Sequence, residues 1–142
     1  MVRIITDSAA DFEPAELEKL NIICIPLTVL VGQRDYRENV DLTKDGFYEL
    51  LKGSESFPKT SQASPQVLAD LFEDAKRSGE EAVYITLSSA LSGTWQSAMM
   101  AAEEFPGKVF VVDSRSVAIG SGILAEYALE LADQGMEAEE IA

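Results

Sequence analysis

Apolar residues along this chain switch between the short runs of strands and the three-to-four spacing of helices. Val2 to Thr6 is a β-branched, apolar run, and Asp7-Ser8 turns it toward Glu13-Pro14-Ala15-Glu16, where proline and acids suit a first helical turn. Ile22 to Val31 predicts a second strand region, which Gly32-Gln33 turns back into the polar stretch Arg34 to Asn39. A short helix is expected from near Thr43, with Phe47, Leu50 and Leu51 on one face, until Gly53 stops it. Gly53 to Pro65 is Ser-rich without hydrophobic period, which predicts a loop. Ser64 as N-cap and Pro65 at N1 then open a helix carrying Val67, Leu68, Leu71, Phe72 and Ala75 on a single face.

Val83 to Leu87 predicts a third strand, and Ser88 to Thr94 a loop entering a helix whose expected core stripe is Trp95, Ala98, Met99 and Ala102. A fourth strand is expected over Lys108 to Val112. Asp113 to Gly122 then leads into a long helix expected to turn Ile123, Leu124, Tyr127, Ala128 and Leu131 inward. After Gly135, the acidic turn before Ile141-Ala142 announces one more helix, so the chain reads as cut off there. Strands alternating with helices predict one α/β lobe over residues 1–142, with a mainly parallel sheet flanked by helices on both faces.

Composition narrows the function. The most apolar stretch, Ile22 to Val31, is broken by Pro26 and is far shorter than the ~20 residues of a membrane span. The amino terminus reaches Asp7 without the apolar run of ~7–15 residues expected of a secretory signal. A cytoplasmic protein without stable membrane insertion is therefore expected. Cys24, the single cysteine, lies between Ile23 and Ile25 and reads as an inert core position. Eleven basic against 25 acidic residues give a net charge of −14, which disfavours nucleic acid and anionic membrane surfaces as partners. The chain has no histidine, which removes the usual general base for a serine or cysteine nucleophile and the commonest zinc ligand; no metal site is expected.

Hydroxyls concentrate where strands end or helices begin: Thr6-Asp7-Ser8, Thr60-Ser61, Ser88 through Thr94, and Asp113-Ser114. In parallel α/β sheets ligands bind at those carboxyl ends, and hydroxyls with backbone N–H groups at helix starts can bind a carboxylate or phosphate. Each hydroxyl taken singly could instead cap only its own turn.

Four segments together carry a resemblance. Thr6-Asp7-Ser8-Ala9-Ala10-Asp11, Pro58 through Pro65, Leu91-Ser92-Gly93-Thr94-Trp95-Gln96-Ser97-Ala98, and Asp113-Ser114 with Gly120-Ser121-Gly122 resemble, in that order, the N-terminal lobe of the DegV family. The resemblance implies a lobe of a two-lobed carrier, itself no enzyme and without cofactor. Such a carrier binds a long-chain fatty acid and presents its carboxylate to a fatty-acid kinase for phosphorylation. Carried over by position, the carboxylate falls to Thr60 and Ser92, with Ser61, Gly93 and Thr94 beside them. Asp7, Ser8, Asp11, Asp113, Ser114, Gly120 and Gly122 are implied as loop organisers or pocket residues. Ala63 stands where many members have proline, and Ala118 where many have serine. The family's second lobe, which supplies a basic residue near the head group and part of the tail tunnel, lies beyond the resemblance. Asp7, Thr60, Ser92 and Asp113 are expected to converge at one edge of the sheet, and an apolar surface is expected to be left exposed.

Two other classes compete. A nucleotide-binding Rossmann-like domain would need a G-x-G-x-x-G turn after the first strand, where Ser8-Ala9-Ala10-Asp11 stands instead, and Gly120-Ser121-Gly122 lies too far beyond its strand. A serine-dependent acyl hydrolase or transferase could use Ser92-Gly93, but lacks both the G-x-S-x-G elbow and a histidine.

Overall fold

In the computed structural model, which describes residues 1–142, the β-branched run at the amino terminus forms β1 (Val2–Asp7), and the main sheet grows outward from it. β2 (Ile23–Ile25) pairs on one side of β1, β6 (Glu81–Thr86) on the other, and β7 (Val109–Asp113) beyond β6, all parallel. Period-two alternation sends neighbouring side chains to opposite faces. Ile5 and Tyr84 join the core under α3 (Pro65–Arg77) and α4 (Thr94–Ala102), with Leu68, Phe72 and Ala98. Ile4, Val83 and Ile85 pack on the other face with Ala125 and Ala128 of α5 (Ile119–Asp133) and Ala138 of α6 (Ala138–Ile141). The result is the three-layer α/β lobe that the alternation predicts.

Local signals place most element starts. Pro14 opens α1 (Pro14–Leu20) behind a Glu13/Glu16 capping box, Thr43 Oγ1 accepts the Gly46 N–H to cap α2 (Lys44–Gly53), and Ser64 Oγ accepts the Val67 N–H to cap α3.

The run Ile22 to Val31 is not one strand. Pro26 has no N–H for a ladder, and the Leu27 N–H is taken by Ser8 Oγ, so the chain leaves the main sheet and re-forms as β3 (Thr28–Val31). β3 centres a second, antiparallel sheet between β4 (Arg34–Arg37) and β5 (Lys59–Ser61). β5 lies inside the stretch expected to be loop. All three of its residues are exposed, so it carries no hydrophobic period and is a strand only because β3 offers it a free edge.

Three helix faces also differ from expectation. Val67 on α3 is exposed, whereas Leu68, Phe72 and Ala75 are buried. α4 buries Thr94, Ser97, Ala98 and Ala101, leaving Met99 exposed and Trp95 and Ala102 half-buried. α5 begins at Ile119 and buries Ser121, Gly122, Ala125 and Ala128, while Ile123, Leu124 and Tyr127 are 60%, 38% and 56% exposed. Close approach explains the choice on α5. A Cβ on Gly122 would stand 3.1 Å from the Ala10 carbonyl oxygen and 3.6 Å from the Phe12 ring, so small residues must face inward and larger ones are turned out.

Candidate functional site

β1, β6 and β7 run parallel, so their carboxyl ends share one edge, and the hydroxyl-rich loops gather there. At the end of β1 the Asp7 carboxylate is fully buried; Oδ1 accepts the Ala9 N–H at 3.1 Å and Oδ2 the Leu87 N–H at 2.8 Å. Desolvation raises its carboxyl to about 6, against the lowering effect of those two N–H groups. The buried Tyr84 hydroxyl faces the same carboxylate without meeting hydrogen-bond geometry, and has no other partner. Ser8 Oγ accepts the Leu27 N–H at 2.9 Å and donates to Glu38 Oε2 at 2.7 Å. Asp11 takes a left-handed conformation (φ 65°) closing the turn, and its carboxylate pairs with Lys44 at 2.9 Å. Burial pushes the neighbouring Cys24 thiol up to about 12, which leaves it protonated and unreactive.

At the end of β7, Asp113 accepts the Ser89 hydroxyl, the Ser89 N–H at 3.0 Å and the Arg115 N–H at 2.9 Å, and the Ser89 hydroxyl leads the contacts that hold its carboxyl below the usual range. Ser114 Oγ accepts the Ser116 N–H and donates to the Ser116 carbonyl, both at 3.1 Å. The chain from β6 into α4 is thereby held on its β7 side.

That chain carries Ser92, Gly93 and Thr94. Ser92 Oγ lies 3.0 Å from Thr94 Oγ1 and accepts the Thr94 N–H at 3.2 Å, a turn that opens α4. Thr94 is buried, whereas Ser92 and Gly93 are half-exposed. Ser92 and Gly93 line a cleft of about 460 Å³ with Thr60, Ser61 and Gln62, closed by Leu27, Leu87 and Leu91. Thr60 also borders a second cleft, of about 500 Å³, whose apolar wall is Val29, Leu42, Phe47, Tyr48 and Phe57 and whose polar rim holds Asp11, Glu38 and Lys44.

Of the residues singled out from sequence, Thr60, Ser61, Ser92 and Gly93 are thus brought to one cleft, with Thr94 buried behind it. Asp7 reaches this cleft through Leu87 and Ser8 through Leu27, Asp11 borders the second cleft, and Asp113 lines neither, holding Ser89 in the chain that leads to Ser92. Gly120 and Gly122 line neither cleft: they sit in the first turn of α5, Gly122 against Ala10 and Phe12. Gln62 was not singled out, although it donates from Nε2 to Ser97 Oγ at 2.8 Å and lies over Gly93. Its sequence signals are its place within the motif Pro58 through Pro65 and two residues after Thr60.

This arrangement is poor ground for the two competing classes. The Ser92 hydroxyl meets only Thr94, with no basic side chain to take its proton. The turn after β1 spends its Ala9 N–H on the Asp7 carboxylate, where a nucleotide site would offer such groups to phosphate. No group of three or more His, Cys, Asp or Glu side chains is arranged to hold a metal ion, and no helix is long and apolar enough to cross a membrane.

Comparison with known proteins agrees with this fold. A DegV domain-containing protein of Caldanaerobacter subterraneus is 36% identical over 141 residues, spanning 99% of this chain and 50% of its own. Among solved structures, DegV of Bacillus subtilis, described as a fatty acid binding protein, superimposes with a TM-score of 0.89 at 34% identity, covering 99% of this chain and 50% of its own. A stearic acid-binding protein of Eubacterium ventriosum gives 0.89 at 30% identity, with the same coverage. The chain spans about half the length of the curated relatives it matches. The model of the DegV family, described as an uncharacterised protein family, matches residues 1–142, and the chain therefore belongs to the DegV family.

Proposed function

We propose that this lobe binds the carboxylate of a long-chain fatty acid at Thr60 and Ser92, and that the full-length protein presents it to a fatty-acid kinase in the cytoplasm without itself turning over substrate. The observation that carries the reading is the shared position of Thr60. It lines the hydroxyl-bearing cleft together with Ser92 and also borders the larger apolar one. A carboxylate held between Thr60 and Ser92 can receive hydroxyl and helix-start N–H groups, while the tail runs along Val29, Phe47 and Phe57. Ser61, Gly93 and Thr94 complete the head-group surroundings. The description of the Eubacterium ventriosum protein as stearic acid-binding and of the Bacillus subtilis protein as fatty acid binding supports the same ligand class here.

Magnitudes divide the labour. Burying ~15 methylenes at ~0.8 kcal/mol each contributes roughly 12 kcal/mol before the costs of association, whereas a hydrogen bond to a charged group nets about 1.5–3 kcal/mol. The tail retains the ligand; the hydroxyls fix the oxygen that attacks the γ-phosphorus. The test pairs a copurified-lipid assay with kinase turnover on full-length wild type, Ser92→Ala and Thr60→Ala. Slower phosphorylation with most lipid retained is expected. Equal turnover in all three would remove the hydroxyls from the head-group role, and complete loss of lipid would overturn the division between tail and hydroxyls.

A further inference from the structure

Asp7 and Ser8 are adjacent at the end of β1, and each holds the backbone of one apolar wall of the head-group cleft. Asp7 Oδ2 accepts the Leu87 N–H at 2.8 Å, and Ser8 Oγ accepts the Leu27 N–H at 2.9 Å. Leu27 and Leu87 both line the cleft and are both 7% exposed. Leu87 is 80 residues from Asp7 in sequence and Leu27 is 19 from Ser8, and neither N–H belongs to a sheet ladder.

We propose that Asp7 and Ser8 are positioning residues that set the width of the carboxylate cleft before ligand arrives; the proposal rests on the fatty-acid reading of that cleft. Asp7 is unsuited to touching the ligand. It is buried, both of its oxygens already accept N–H groups, and a second carboxylate beside it would be repelled. Burial of a carboxylate is costly unless its hydrogen bonds are made, and here the bonds made are those that fix the turn (Ala9) and the wall (Leu87). Ser88 N–H to the Ser116 carbonyl and Ser89 to Asp113 hold the following residues from the β7 side, so the first residue of the loop depends on Asp7.

The test uses the full-length protein and palmitate labelled with ¹³C at the carboxyl. Asp7→Asn turns an amide N–H toward a backbone N–H, and Ser8→Ala removes the acceptor for Leu27. Each should move the bound carboxyl resonance toward that of free fatty acid and weaken binding about tenfold, equivalent to about 1.4 kcal/mol. Arg3→Met removes the contacts to Asp74 and Glu80 at the opposite end of β1, and should lower the melting temperature without moving the resonance. An unmoved resonance in both cleft variants would overturn the proposal. Should those variants not fold, amide exchange in ligand-free wild type decides it. The Leu27 and Leu87 amides should exchange as slowly as those of β6, and protection that arises only with palmitate would mean that the ligand, and not Asp7 and Ser8, sets the walls. Failure of the wild type to bind palmitate would sink the fatty-acid reading instead, while the exchange measurement would still report on Asp7 and Ser8.

Discussion

Gln62 Nε2 donates to Ser97 Oγ at 2.8 Å, and so lays its side chain across Gly93, one turn earlier on α4. The residue that follows β5 and the first turn of α4 are joined by this bond. A Cβ at position 93 would overlap the Gln62 side-chain carbonyl, so the glycine serves close approach and not an unusual backbone angle.

Gly93→Ala should therefore displace Gln62 and break its bond to Ser97, costing about 0.5–1.5 kcal/mol. Binding of a labelled fatty acid should weaken too, because the displaced amide moves into the space beside Ser92. Thermal melts and ligand titrations on Gly93→Ala, Gln62→Ala and the double variant check it. The two changes should be clearly non-additive, and simple addition would show that the residues do not meet.

Asp7 gives a pH dependence of defined sign. Its folded carboxyl is raised to about 6, above the ~3.9 of an unfolded chain, so between those values the folded state holds a proton that the unfolded state releases. The contribution of Asp7 to stability is fully present below about pH 4 and is lost as pH rises through about 6, roughly 2–3 kcal/mol in all. The unfolding free energy of wild type minus that of Asp7→Asn should accordingly fall between pH 4 and 7.5. A difference independent of pH would contradict the raised value.

Tyr84→Phe removes a buried hydroxyl that has no partner, while the ring keeps its edge-on contact with Phe72 at 6.4 Å between centroids. Stability should be unchanged or higher by about 1 kcal/mol, since no hydrogen bond is lost and a desolvated polar group is relieved. Urea denaturation measures this, and a loss above about 1 kcal/mol would show that the hydroxyl is bonded after all.

On α5, Ala125→Leu should destabilise by about 1–3 kcal/mol, because Ala125 is fully buried against the sheet. Ile123→Ser, on the outward face, should stay within about 0.5 kcal/mol in this lobe. Denaturant melts of both variants compare the two faces directly, and the reverse ranking would restore the inward stripe suggested by hydrophobicity.

Elements whose cause is local were legible in the chain: β1, β6 and β7 from their apolar runs, α1 from Pro14, and α2 and α3 from the caps Thr43 and Ser64. Their signals lie within a few residues of the structure they start. The four hydroxyl-rich motifs were legible for the same reason, being short, and they gave the family. What depended on approach between distant segments was not. β5 has no period of its own and exists because β3 has a free edge; Pro26 splits a continuous apolar run between two sheets. Helix faces followed from how closely α4 and α5 come to the sheet, which favours Ser97, Ala98, Gly122 and Ala125 over the larger Met99, Ile123 and Tyr127 that a hydrophobic pattern selects. The resemblance had already put Thr60 and Ser92 at one site; tertiary structure alone decided that Gln62 would cross Gly93 and that Asp7 would accept an N–H eighty residues away. A hydrogen bond of that span leaves no periodic trace, because its two ends are chosen by the packing of the whole sheet.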